Sequence, residues 1–131
     1  MSAKNLLQDQ TIVVTGAATG IGQAFALGAS SQGAHVFVAD MNSADETMDI
    51  IKTRGGHATY VKVDVSDDAS TRAMAEAAIK ATGRIDGLIN NAAYFREVKL
   101  TPFEELSESE WDRIFQVNVK GIWLCCKAVM P

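Results

Sequence analysis

The chain is poor in cysteine, histidine and long hydrophobic runs, and each shortage removes a class of protein. Its two cysteines, Cys125 and Cys126, are adjacent among 131 residues, which suits neither a zinc site nor a structural disulfide. They read as reduced packing residues on a helix. The two histidines, His35 and His57, have no cysteine or carboxylate at ligand spacing, so no metal centre is expected. Lys and Arg number 12 against 16 Asp and Glu, a net charge of -4, and the basic residues are scattered rather than gathered into a stripe. Nucleic acid is excluded as a partner on that ground. The start, Met1-Ser2-Ala3-Lys4-Asn5, lacks the apolar core of a signal peptide, and Lys120 and Lys127 interrupt the apolar stretch near the end. No membrane association and a cytoplasmic location are therefore expected. What is present is 47% hydrophobic residues, enough to bury the core of one domain over 1–131.

Short apolar runs alternate with helical patterns, the mark of a parallel sheet covered by crossover helices. The runs are Thr11 to Thr15, His35 to Ala39, Ala58 to Val63 and Ile85 to Asn90. Gly33, Gly55-Gly56 and Gly83 close the first three helices, while Asn42-Ser43 and Ser66-Asp67 are N-cap candidates for the second and third. The last helix opens on the capping box Ser107-x-x-Glu110 and runs to Met130. Right-handed crossovers give an α/β, doubly wound parallel sheet in the order 3-2-1-4, with helices on both faces. The chain reverses direction between strands 1 and 4, and ligands bind at such a switch point.

Thr15-Gly16-Ala17-Ala18-Thr19-Gly20-Ile21-Gly22 stands there. It joins the first strand to a helix whose apolar stripe is predicted to begin at Ile21, Ala24 and Phe25. Unpaired N–H groups in the first helical turn and the helix dipole suit such a loop to a phosphate, although a tight structural turn uses glycine as well. Asp40, 18 positions beyond Gly22 at the end of strand 2, raises the odds: a carboxylate there can accept hydrogen bonds from an adenosine ribose and repels a 2′-phosphate. The competing role is a loop or capping carboxylate. Met41 and Asn42 follow, with no Lys or Arg, so NAD is preferred over NADP. A P-loop would need Lys and then Ser or Thr after the last glycine, where Gln23-Ala24 stands.

Thr-Gly-x-x-x-Gly-Ile-Gly, then Asp40, then Asp64-Val65, then Asn90-Asn91-Ala92-Ala93 resembles the short-chain dehydrogenase/reductase family, over essentially the whole chain. The resemblance implies a Rossmann-type fold. It also implies that Gly16, Thr19, Gly20, Ile21 and Gly22 line the pyrophosphate, that Asp64 and Val65 contact adenine, and that Asn91, Ala92 and Ala93 border the cofactor. Ala93 replaces the glycine usual in the family. Asn90 is read as bonding neighbouring backbone.

Trp111, Ile114, Phe115, Ile122 and Val129 form an apolar stripe on the last helix, and Asn118 lies on it. A buried amide must bond backbone or serve a site. The resemblance assigns Asn118 to catalysis, helping to hold a water and a Lys in a proton relay. Tyr94 and Phe95 are placed near the substrate entrance. The family's general acid/base Tyr, with Lys four residues later, has no counterpart here: Tyr60 is followed at that spacing by Asp64, and Tyr94 by Val98. The family's Ser, Tyr and Lys are expected beyond Pro131, which makes the chain the cofactor half of a longer enzyme, with strand 4 left as an apolar edge. The expected activity is hydride transfer between nicotinamide and a secondary alcohol or ketone, in a homo-oligomer assembled through helix 107–130. A non-catalytic dinucleotide-binding or interaction module is the alternative.

Overall fold

A computed structural model describes residues 5–95 and 98–131. Four parallel strands, β1 (Thr11–Thr15), β2 (His35–Asp40), β3 (His57–Lys62) and β4 (Gly87–Ile89), lie in the order β3-β2-β1-β4. The crossovers are α1 (Gly20–Ser31), α2 (Asp45–Thr53) and α3 (Asp68–Thr82). Beyond β4, a 3-10 turn (Phe103–Glu105) leads to α4 (Glu108–Phe115), a π-helical turn (Gln116–Lys120) and α5 (Gly121–Val129). The α/β class and strand order are those read from the sequence. Strand 4 is shorter than read, at three residues, and among the described residues it pairs only with β1.

All five residues of β1 are buried, because successive side chains enter opposite cores. Ile12 and Val14 pack with Val36, Val38 and Ala26 on one face; Val13 packs with Phe37, Met74 and Val117 on the other. This two-sided burial explains why β1 and β2 read as unbroken apolar runs, whereas β3, at the sheet edge, has no fully buried residue.

Helix phase is where sequence and structure part. Ile21 is 71% exposed and Phe25 is exposed too, while Gly22, Ala26 and Ala29 form the inner face of α1. The stripe therefore turns by one residue, because small side chains let the helix lie close on the sheet. The last helix does the same. Trp111, Phe115 and Ile122 are exposed, and Val117, Gly121, Leu124 and Cys125 face inward. A Cβ on Gly121 would stand 2.8 Å from Val65 Cγ2, so only glycine lets this helix seat there. Burial pushes the Cys125 thiol up to about 11, so it packs as a neutral hydrophobe.

Of the predicted caps, Ser107 Oγ accepts the Glu110 N–H at 3.2 Å. Asp67 is the N-cap of α3 as read, without a side-chain cap bond, whereas the N-cap of α2 is Ala44 rather than Asn42 or Ser43, with Ser43 Oγ accepting the Asp45 amide at 3.4 Å. Ser66 and the Asn42 amide are instead drawn to carboxylates at the strand ends.

Candidate cofactor site

At the C-terminal end of β1 the chain turns through Gly16, whose φ of +68° is left-handed. A Cβ there would lie 2.9 Å from Ala92 Cα. One on Gly22 would run into the Gly16 carbonyl oxygen and stand 2.5 Å from Asn91 Nδ2. The two glycines thus allow β1, α1 and the end of β4 to meet backbone to backbone. Asn91 Nδ2 donates to the Gly16 carbonyl at 3.1 Å. The buried Thr15 hydroxyl accepts the amides of Asn91 and Ala92 at 3.2 and 3.1 Å. Thr19 caps α1 with extended backbone and no side-chain bond to the helix. Among the described residues, no acceptor is found for the amides of Gly20, Ile21 and Gly22.

The neighbouring strand ends are equally defined. Asp40 accepts the Ala18 amide at 2.9 Å through one oxygen and the Asn42 amide at 3.0 Å through the other. Met41 sits half exposed between them. Tyr60 donates its hydroxyl to the Asn42 carbonyl at 2.9 Å, and burial, then the charges of Asp40 and Asp45, push its phenol above the ordinary range. Asp64 takes the Ser66 amide at 3.0 Å and the Ser66 hydroxyl at 2.6 Å. Val65 is buried against Gly121, so its main chain is what remains for a ligand. Ala92 is partly buried and Ala93 exposed. Asn90 donates to Cys126 Sγ at 3.4 Å, a side-chain contact where a backbone one was read.

Comparison with known proteins decides the family. The sequence profile of the short chain dehydrogenases matches residues 10–131. The chain belongs to the short-chain dehydrogenase family. It is 41% identical over 127 residues to the uncharacterized oxidoreductase YxbG of Bacillus subtilis, covering 95% of this chain and 46% of that protein. It is 37% identical over 127 residues to glucose 1-dehydrogenase 2 of the same organism, covering 95% and 48%. A crystal structure from Burkholderia xenovorans, assigned to the short-chain dehydrogenases/reductases, superposes with a TM-score of 0.90 at 31% identity, covering 98% of this chain and 52% of that one. A double mutant of a Serratia marcescens short-chain dehydrogenase/reductase gives 0.86 at 30% identity, covering 94% and 50%. The chain spans about half the length of the curated relatives it matches.

Short-chain dehydrogenases use nicotinamide cofactors, and this chain's residues fit one. The Gly20–Gly22 amides are free at a helix N-terminus, the glycines leave no side chain in the way, and a carboxylate stands at the adjacent strand end. Asn118 bonds backbone, one of the two outcomes its place on the apolar stripe allowed. Its Oδ1 accepts the Tyr94 amide at 2.7 Å and its Nδ2 donates to the Tyr94 carbonyl at 3.1 Å, so both ends of the side chain grip backbone. Arg113 stacks its guanidinium 5.5 Å from the centre of the Tyr94 ring and reaches the Ser66 hydroxyl at 3.4 Å. Sequence reasoning passed over Arg113, Thr15 and Thr47, whose roles depend on contacts 19 to 77 positions apart. A threonine inside an amphipathic helix carries no signal of its own. A cavity of about 420 Å³, lined by Ser30, Gly33, Ile51, Arg54, Gly56 and His57 among others, contains none of the predicted site residues.

Proposed function

We propose that this chain is the cofactor-binding part of an NAD-dependent oxidoreductase that moves a hydride between nicotinamide and a secondary alcohol or ketone. The observation that carries the choice of NAD is Asp40. Two backbone amides fix its carboxylate at the end of β2, and the lone pairs left over can accept the hydroxyls of an adenosine ribose. A 2′-phosphate brought to the same place meets a negative charge with no Lys or Arg in Met41-Asn42-Ser43 or in the glycine loop.

The roles then follow by place. Gly16, Gly20, Ile21 and Gly22 present backbone to the pyrophosphate, with the Thr19 hydroxyl beside them. Asp64 and the Val65 main chain border adenine, and Asn91, Ala92 and Ala93 border the nicotinamide end. Bound there, the cofactor supplies or accepts the hydride. Asn118 is a positioning residue, because its amide is engaged with Tyr94; any part it takes in a proton relay goes through its own main chain. The 131 residues contain no Tyr with a Lys four positions later, and the acid/base pair is assigned to sequence outside them.

The full protein is expected to bind NAD+ at least about tenfold more tightly than NADP+, a gap of about 1.4 kcal/mol, as read by titration calorimetry. Asp40→Ala should weaken NAD+ and narrow the gap. Tighter binding of NADP+ would reverse the reading of Asp40.

The exposed faces of Trp111, Phe115, Ile122 and Trp123, the last 58% exposed, support assembly of a homo-oligomer through α4 and α5. Sedimentation of the full protein is expected to give a dimer or larger species, and a monomer would remove this part of the proposal. No helix among the described residues is long and apolar enough to cross a membrane; a cytoplasmic location remains part of the proposal.

A further inference from the structure

Thr47 is fully buried on the first turn of α2, at 0% exposure, so its hydroxyl must find partners inside the protein. Its hydroxyl lies 2.9 Å from the Ala17 carbonyl and 3.1 Å from the Ala18 carbonyl. Gln23, one turn into α1, donates its amide to Thr47 Oγ1 at 3.0 Å. A hydroxyl has one hydrogen to give and lone pairs to accept with. Thr47 therefore shares its hydrogen between the two loop carbonyls and accepts one from Gln23. On the other side of the same peptide group, Asp40 accepts the Ala18 amide. Ala18, at the bend of the glycine loop, is thus held through its N–H by β2 and through its C=O by α2.

We infer that Thr47 is a positioning residue for the dinucleotide, fixing the glycine loop so that its free amides and the Asp40 carboxylate stand at one set distance. The inference rests on the dinucleotide reading of the site. The span between ribose and pyrophosphate is fixed by covalent bonds in the ligand, so a loop that holds this distance before binding loses less conformational freedom on binding. A valine at position 47 keeps the shape of threonine but strips Ala17, Ala18 and Gln23 of a partner in a dry place.

The test uses the full protein with three probes: NAD+, ADP-ribose and adenosine. Thr47→Val is expected to raise the dissociation constants of NAD+ and ADP-ribose about tenfold, the worth of one lost buried partner, with adenosine changed less than about twofold. Thr47→Ser, which keeps the hydroxyl, should restore NAD+ to within about threefold of the parent. If Thr47→Val does not fold, Gln23→Met is read with the same probes, and a loss confined to the two pyrophosphate ligands supports the inference. Equal losses for all three probes in either variant would show a merely structural role and overturn it, as would unchanged NAD+ binding. A parent protein that binds none of the probes overturns the proposed function instead.

Discussion

Gly22→Ala is expected to abolish dinucleotide binding and to lower folding stability by about 2–3 kcal/mol, the cost of forcing a methyl group into a filled space. The new Cβ would meet the Gly16 carbonyl oxygen and Asn91 Nδ2, and neither can retreat. The Gly16–Ala17 peptide is tied to β2 through the Ala17 amide on the Ala39 carbonyl, and the Asn91 amide is bonded to the oxygen that is struck. Helix α1 must then rise from the loop, taking the Gly20–Gly22 amides with it. Gly28 supplies the control on the same helix. A Cβ there meets nothing within 4 Å, so Gly28→Ala should stabilise by about 0.5–1 kcal/mol through helix propensity alone and leave binding unchanged. Urea unfolding and NAD+ titration of the two variants check both signs. Opposite outcomes from one substitution, six positions apart on one helix, would isolate close approach as the reason for glycine at 22.

Asn118→Leu is expected to cost about 2 kcal/mol or more, because the Tyr94 amide and carbonyl both lose their partner in a half-buried place. Since Tyr94 also carries the Arg113 contact, and Arg113 reaches Ser66, the loss should loosen the loop beyond β4 as well as the helix. Asn118→Asp sharpens the argument. An ionised carboxylate can still accept from the Tyr94 amide but faces the Tyr94 carbonyl with no hydrogen to give. Protonation restores the donor, so the folded state raises the pKa of the introduced carboxyl. That stabilisation is fully present below the unfolded-state value near 4 and is lost as pH rises through the raised folded value. The gap in stability between Asn118→Asp and the parent should therefore narrow on acidification, in urea melts at pH 7 and pH 4.5. A gap independent of pH would mean that the carbonyl contact carries no weight.

β1 and β2 were legible because burial on both faces leaves a run of Val, Ile and Phe that few other structures produce, and the strand order followed from right-handed crossovers. The glycine loop was legible because backbone contact leaves side chains no place. Helix phase was not. Periodicity finds an apolar face by its large residues, and in α1 and in the α4 to α5 segment the large residues Ile21, Phe25, Trp111 and Phe115 are the exposed ones. The face of α1 that packs is made of Gly22, Ala26 and Ala29, which a hydrophobicity scale scarcely registers, and that of the last helix is made of Val117, Gly121, Leu124 and Cys125, out of phase with the larger residues. The candidate site divides in the same way. Asp40, Asp64 and Asn91 announce themselves as polar residues ending apolar runs. Thr47 and Arg113 act on partners far away in sequence, so their meaning appears only with the fold. For Asn118 the sequence showed that the amide needed partners, and the Tyr94 backbone proves to supply them.

The position of β1 in the sheet has a consequence for the order of assembly. Thr11 pairs with His35, but on the other side Ile12 pairs with Gly87, and Asn91 closes on Gly16 across 75 positions. Joining distant stretches of chain is slow because the intervening loop must first be ordered. The glycine loop lies near the start of the sequence, yet Asn91 and Ala92, which wall it, follow β4. During synthesis, α1 can form early and β2 can dock on β1 while the loop still lacks its wall. Only when Asn91 and Ala92 have been made can the phosphate cradle set, so the first motif to be translated is among the last to become competent.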